Sequence, residues 1–458
     1  MDHETGGDEL TELEMAQAIA LRVQEAGGCA YFVGGYVRDM LLGNENKDID
    51  IEVHGITPDD LIGILSSLGE MTSFGESFGI FGLRNMHLDI AMPRSERLIG
   101  PGHRDFLCTL DPFIGTRQAA LRRDFTINAL MQNILTGEIV DHFGGQQDLK
   151  AHVIRHIDSD RFAEDPLRVL RGAQFAARFH FQIAPETIRI CQEMDLSALA
   201  PERIFGELEK ALLKSDSPSI FFEELRRMDQ LDLWFPEVKA LISVPQPPDF
   251  HPEGDVWNHT MMVMDDAAFL REAARNPIGL MLAALCHDLG KPCTTKTEAD
   301  GRLHAYGHEK AGSMLAEVLL SRISNEKKLK KYVKNMVLLH MQPNMLAAQS
   351  AGKKAFNRMY DRAVSPPDLL LLARADALGS CVSTEIYLAT ENVLRQRLQD
   401  YELLISAPGV TGNDLIAAGF HPSAAFHEAL AYAHKLQLAG VDHKNALAQT
   451  IAFLHRKE

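Results

Sequence analysis

The chain lacks any apolar run long enough to cross a membrane: stretches such as IGLMLAALC stop well short of the roughly 20 residues a spanning helix needs. No signal-like start is visible either, so a soluble protein is expected. Basic excess is missing too. The formal net charge of −17 argues against a general polyanion-binding coat and against attraction to acidic membranes, so any nucleic-acid contact has to be local. Of the six cysteines, Cys29, Cys108, Cys191, Cys286, Cys293 and Cys381, none forms a CxxC pair, which removes the common thiolate metal spacing and points to a reducing cytoplasm. Internal repeats and low-complexity tracts are absent. What remains is 458 residues, enough for about three domains.

The first 150 residues read as mixed α/β. TELEMAQAIALRVQEAGG has helical periodicity and closes on Gly27 and Gly28. CAYFVGG reads as a strand, YVRDMLLG as a short helix and DIDIEV as a second strand. In ITPDDLIGILSSLG, Thr57 is placed to cap a helix and Pro58 to occupy its first position. FGIFGLRNMHLDIAM predicts a hairpin turning near Asn85, with Asp89 on its second arm, and EIVDHFGG predicts a further strand. From about residue 158 helical periods dominate. VPQPPDFHPEG, residues 244–254, is Pro-rich and aperiodic and marks a domain boundary, with a second break near SAPGVTGND, 406–414. The expected layout is an α/β head over 1–150, a helical neck and body over 151–245, a helical domain over 246–405 and a helical segment over 406–458.

In NKDIDIEVHG, Asp48 and Asp50 alternate with Ile49 and Ile51, so both carboxylates leave one face of a strand. Such a pair repels itself unless a cation sits between the two or one reaches water. The spacing alone is compatible with a solvated edge and with a metal site. Upstream, VGGYVRDMLLG puts Gly34 and Gly35 between strand and helix, where bare N–H groups can hold phosphate oxygens, and Arg38 one turn on offers a cation. A tight turn is the ordinary explanation of two glycines. Followed by DxD on the next strand, they make a phosphate cradle beside a divalent-metal site, which nucleotidyl transfer requires.

Taken in order, VGGYVRDMLLG, KDIDIE, LRRDFTINAL, FGGQQDLKAHVIR and RFAEDPLRVLRGAQFAARFHF resemble the class II tRNA nucleotidyltransferases and their relatives, the bacterial poly(A) polymerases, over roughly residues 29–236. The resemblance implies a nucleotidyltransferase head, a mixed sheet with helices, followed by an all-α neck and body, in an enzyme that extends RNA 3′ ends without a nucleic-acid template. It implies that Asp48 and Asp50 hold two Mg²⁺ ions, that Gly34, Gly35 and Arg38 meet the triphosphate, and that Arg123, Asp124 and Asn128 contact the incoming nucleotide. Asp89 falls on the neighbouring strand, where a third carboxylate can assist or simply face solvent.

In AEDPLRVLR, Pro166 is expected in a helix's first turn, so Asp165 and Arg168 stand three apart on one face. An intrahelical ion pair is the ordinary reading. An acceptor beside a donor also mimics a partner base for cytosine and adenine, whose pairing edges carry an amino group next to an unprotonated ring nitrogen. Uracil and guanine reverse that order and would strand buried polar groups. The resemblance assigns Asp165 and Arg168 this templating role. Arg161, Arg168, Arg171 and Arg178 fall near one helical stripe, a local track for RNA or triphosphate in an acidic chain, or a solvated face. Basic residues also outnumber acids seven to four between Arg84 and Arg123, where RNA contact is expected.

Beyond the Pro-rich stretch, VWNHTMMV supplies His259, LAALCHDLGKP His287 and Asp288, HAYGHEKAG His308, VLLHMQP His340 and ARADALG Asp376. A lone histidine in an apolar helix is usually a core residue; six ligand-type side chains suit a mid-row divalent ion of unstated identity. Because adjacent His and Asp do not share a helix face, a helix end or two metals would accommodate both. The pattern resembles HD-domain phosphohydrolases over about residues 246–380, an all-α module, and implies phosphatase or phosphodiesterase activity, with Lys291 near a phosphate oxygen.

Together these readings predict a tRNA 3′-end nucleotidyltransferase using CTP and ATP. A poly(A) polymerase or a CC- or A-adding enzyme is the rival of the same class. The segment between Asp89 and Arg122 shows no deletion, which favours the complete activity, although MPRSERLIGPGHRDF departs from the commoner family wording. A phosphohydrolase whose head merely binds nucleotide is the rival of another class.

Overall fold

The computed structural model describes residues 11–456 apart from 47, 74–79, 99–105 and 381. The chain forms two compact units, Met1–Glu207 with Glu223–Gln230, and Leu208–Phe222 with Leu231–Glu458.

The first unit is built on a seven-stranded mixed sheet. The strands up to residue 140 are β1 Cys29–Val33, β2 Ile49–His54, β3 Met71–Ser73, β4 Ile80–Leu83, β5 Leu88–Ala91, β6 Arg94–Leu98, β7 Phe106–Leu110, β8 Met131–Asn133 and β9 Ile139–Val140. The sheet runs β3-β4-β5-β2-β1-β8-β9, and β6 and β7 make a separate ribbon. β2 and β5 are parallel, with Asp50 opposite Asp89, whereas β1 meets β2 antiparallel. Central β2 buries Ile51 and Val53 completely. The helix Glu12–Glu25 begins with a Thr11–Glu14 capping box and buries Ile19 and Val23, and Pro58–Leu68 begins with a Thr57–Asp60 box, as its sequence predicts. Asn85, at φ 63°, turns the β4–β5 hairpin. The strand expected in EIVDHFGG is cut to two residues, because Asp141 accepts the N–H groups of Phe143, Gly145 and Gln146 and folds the chain into a turn.

Past the head, Ser159–Ala163 and Leu167–Phe179 are separate helices. Pro166, which has no N–H, opens the second, so Arg161 does not share a helix with Arg168, Arg171 and Arg178 as the spacing predicted.

The second unit is helical, with Val256–Leu270, Pro277–Cys286, His308–Ile323, Lys327–Leu339, Pro366–Gly379 and Thr384–Ser406 as its main elements. The break expected near 406–414 falls between Ser406 and the helix Gly412–Ala417, after which Leu415, Phe420, Phe426, Ala429 and Leu454 form a small core of their own. The 244–254 stretch is not a bare connector. Val256 N–H donates to the Val244 carbonyl and Ser243 N–H to Asp255, which folds the segment back on the start of the helix Val256–Leu270. No described helix is long and apolar enough to cross a membrane.

Candidate functional site

In the first unit, the chain leaves β1 through Gly34, at φ 65° and ψ −130°. A Cβ there would meet the Arg123 guanidinium at 3.0 Å and Asp50 at 3.7 Å, so glycine is required by conformation and by space. Asp50 is partly buried and Asp48 and Asp89 are exposed. Burial pushes the Asp50 carboxyl up and Asp89 and Asp48 add to that, with Arg123 opposing them. Asp50 thus stands opposite Asp89 across the β2–β5 pair and feels the charge of Asp48, so the strand beside the glycine turn carries a local negative charge that a divalent cation would offset.

Glu52 continues the alternation of Asp48 and Asp50, and sequence reasoning passed over it. It is 1% exposed and holds Arg122 at 3.1 Å, Arg123 at 3.5 Å and His54 at 3.0 Å. Burial alone would raise its carboxyl; the His54 hydrogen bond and both guanidinium groups bring it down to about 2. The Arg123 charge is therefore fixed beside Asp50 by a buried anion.

Arg38, Asp124, Asn128 and Arg171 do not line the turn as free groups. Arg38 is 4% exposed, packed at 5.2 and 4.6 Å from the Phe175 and Phe179 ring centres. Its guanidinium donates to Asp39 at 2.8 Å and to Asn128 at 2.6 Å. Asn128 donates to Asp124, which also accepts from Arg171 at 2.7 Å and from the Phe125 N–H. Although burial works against it, Arg171, Asn128 and that N–H hold the Asp124 carboxyl below its ordinary range. Arg178 lies 3.7 Å from Asp39. This network braces the helix Gly35–Leu41 from within: a Cβ on Gly35 would stand 3.4 Å from Arg38.

Asp165 and Arg168 are not spent on each other. Asp165 pairs with Arg203 at 3.1 Å, and Arg168 donates to the carbonyls of Arg161 at 2.6 Å and Arg122 at 2.8 Å. Both side chains are thus oriented by third parties, as a fixed donor–acceptor couple needs. Arg203 is another residue the motif did not mark. Of the basic stretch from Arg84 to Arg123, residues 99–105 lie outside the described residues.

In the second unit the six ligand-type residues do come together. His287 and Asp288 follow the end of Pro277–Cys286, His308 opens its helix, and His340 follows Leu339, so helix ends carry the groups that a continuous helix face could not. His259 Nε2 lies 3.2 Å from His287 Nε2 and 3.1 Å from Asp376. His308 Nε2 lies 3.3 Å from His340 Nε2 and 3.4 Å from Asp288 Oδ1, while Asp288 Oδ2 faces His287 at 3.2 Å. Asp288 therefore bridges two sets, His259–His287–Asp376 and His308–His340.

Three imidazoles are fixed through the other nitrogen, since His287, His308 and His340 direct Nδ1 to the Ala284, Ala305 and Val337 carbonyls, and the Glu253 carboxylate lies 2.9 Å from His259 Nδ1. Converging Nε2 atoms with anchored Nδ1 atoms are what metal-ligating histidines require, so the donors fit two divalent ions. Glu253 comes from the stretch expected to be only a boundary; its place six residues before His259 was the available signal. Lys291 Nζ sits 2.6 Å from Asp288 and 2.6 Å from Gln246 of the same stretch. Packing pins this geometry, since a Cβ on Gly290 would stand 2.0 Å from the His308 carbonyl.

Comparison with known proteins gives three family matches: the "Poly A polymerase head domain" over residues 30–155, the "Probable RNA and SrmB- binding site of polymerase A" over 180–242, and the "HD domain" over 256–380. The chain is 41% identical over 360 residues to the multifunctional CCA protein of Actinobacillus pleuropneumoniae, covering 76% of this chain and 85% of that one. It is 38% identical over 406 residues to that of Pasteurella multocida, covering 86% and 93%. Its fold is similar to the Bacillus stearothermophilus CCA-adding enzyme in complex with CTP, at TM-score 0.67 and 19% identity over 98% of this chain and 99% of that one. It is also similar to the Thermotoga maritima CCA-adding enzyme complexed with tRNA, at TM-score 0.61 and 21% identity over 96% and 95%.

Proposed function

The chain belongs to the multifunctional CCA protein family, and from that membership we propose that its first unit adds C and A to tRNA 3′ ends from CTP and ATP without a nucleic-acid template. The observation that carries this reading is the placing of Asp50 beside the Gly34 turn and opposite Asp89, coupled in charge to Asp48 and Asp89, with Arg123 fixed by Glu52. Divalent ions held by the carboxylates supply charge neutralisation at the α-phosphate and acidify the attacking hydroxyl. The Gly34–Gly35 turn and Arg123 orient the triphosphate. The tRNA 3′ oxygen attacks the α-phosphorus in line, the bond to the β-phosphate oxygen breaks, and pyrophosphate departs. No side chain acts as nucleophile; positioning and charge do the work. Asp165 and Arg168 present acceptor and donor to the base.

For the second unit we propose phosphomonoester or phosphodiester hydrolysis at the cluster bridged by Asp288. His259, His287, Asp288, His308, His340 and Asp376 would hold the divalent metal, which would supply activation of water at neutral pH. The chain's own part is to fix the imidazoles, place Lys291 by the phosphate and close the site with Glu253. Cys29, Cys191, Cys286 and Cys293 are free, in keeping with a cytoplasmic protein.

The test is a tRNA lacking its 3′ end, incubated with Mg²⁺ and each nucleotide alone and together. Stepwise CC and then A is expected; long A tails would replace this reading by a poly(A) polymerase, and no incorporation would end it. Replacing His287 and Asp288 by Ala should remove the second unit's metal, read by elemental analysis, and undiminished metal refutes the ligand set.

A further inference from the structure

In a chain of net charge −17, the helix Lys327–Leu339 holds five lysines and no acid. Its Tyr332, Val333, Met336 and Val337 are buried, so packing decides which face meets water. Lys327 and Lys331, four apart, lie on the opposite face with Lys328 beside them. The helix Lys353–Arg362 repeats the arrangement. Phe356, Met359 and Tyr360 are buried, and Lys354, Arg358 and Arg362 follow at intervals of four on the exposed side, a row about 12 Å long.

Asn335, one turn past Lys331, ties the two rows together. Its Nδ2 donates to the Arg362 carbonyl at 2.9 Å, and its Oδ1 accepts the Val364 N–H at 2.8 Å. Neighbouring cations are used inside the fold: Lys334 pairs with Glu317, Lys353 with Asp400 at 3.0 Å and Arg322 with Glu237 at 2.6 Å. Asp361, the one acid of the second helix, is turned to His434 at 2.8 Å. Among the described residues, Lys327, Lys328, Lys331, Lys354, Arg358 and Arg362 face no carboxylate within ion-pair distance, and all six are exposed. Like charges held side by side by packing repel one another, and an anion laid across them relieves that repulsion. Cations one helical turn apart are too widely spread for a single phosphate to meet them all, so the pattern suits a chain of phosphates.

We propose that this face is a backbone track for RNA, on which the six cations meet successive phosphates of the tRNA and read charge without reading sequence. It rests on the reading that the chain works on tRNA. Both helices fall within the 256–380 match, well past the RNA-binding match over 180–242. An acidic membrane is a poorer occupant, because the overall charge opposes it and the exposed positions of the two helices carry no aromatic anchor.

The test measures binding of the full chain to a tRNA lacking its 3′ end, by fluorescence anisotropy at several salt concentrations. One variant combines Lys331→Gln, Arg358→Gln and Arg362→Gln. A control combines Lys435→Gln, Lys444→Gln and Arg456→Gln, which removes the same charge from exposed positions of the last two helices. The first variant should raise Kd about tenfold or more and lower the slope of log K against log salt by about 1 for each contact removed. The control should do neither. An unchanged Kd and slope in the first variant, or an equal loss in the control, overturns the track. Phosphatidylglycerol vesicles whose binding depends on the three residues, with tRNA binding indifferent to them, would also overturn it and give the face to a membrane. Binding of tRNA that depends on these residues without nucleotide addition keeps the track and removes the transferase reading, whereas addition with tRNA binding indifferent to them removes the track alone.

Discussion

Replacing Glu52 by Gln keeps the side chain's shape and removes the carboxylate that Arg122, Arg123 and His54 share. With Arg123 no longer fixed beside Asp50, kcat/KM for CTP should fall by roughly 100-fold, as for other losses of positioning; an unchanged value in steady-state assays would remove Glu52 from the account. Asp124 makes a different prediction. Its folded pKa lies below the ordinary carboxylate value, so its contribution to stability is complete above that value and is lost as pH falls through the folded one, below about pH 4. Asp124→Asn should therefore cost on the order of 2 kcal/mol at pH 7, discounted because Arg171 stays a third exposed, and less at pH 3. Thermal unfolding at the two pH values reads the difference. Asp48 and Asp50 were legible because two like charges alternating in a strand ask for a cation. Glu52 extends the same alternation but was not, because its partner Arg122 lies 70 residues away along the chain.

At the scale of elements, caps and periodicity carried well: Thr57, Pro58 and the turn at Asn85 fall where the sequence put them. One reading did not survive. Four arginines at helical spacing looked like one stripe until Pro166 divided the helix, since proline tolerates a helix start and not its interior. The 244–254 stretch, aperiodic and Pro-rich, read as a joint and lies between the matched regions 180–242 and 256–380; it also delivers Gln246 and Glu253, which its composition did not announce. Backbone contact was invisible to pattern altogether. Gly290 lets the turn after Asp288 press against the start of His308–Ile323, so Gly290→Ala should destabilise the fold by about 1–3 kcal/mol and lower bound metal in the second unit. Elemental analysis with native metal content would contradict this.

For the whole molecule, two compact units carry two separate sets of acidic and imidazole groups. Asp48→Asn with Asp50→Asn should cut nucleotide addition by roughly 1,000-fold or more and spare phosphate release, while His287→Ala with Asp288→Ala should do the reverse. Parallel assays of both variants check it, and a loss of both activities in either one contradicts the division. The order of the parts was readable because each motif is itself short, although the second unit's ligands spread from His259 to Asp376. The limits of the compact units were not, since Leu208–Phe222 packs with residues that follow it by long-range contact. One hydrogen bond joins the proposed base reader to the proposed metal site inside the first unit: Arg168 leans on the carbonyl of Arg122, whose own side chain is gripped by Glu52, two residues beyond Asp50. On that reading fidelity and speed hang on one peg. A lineage drifting toward a different tail would find that peg costly to move, and the cheaper path to a new alphabet runs through Asp165 and its separate tether to Arg203.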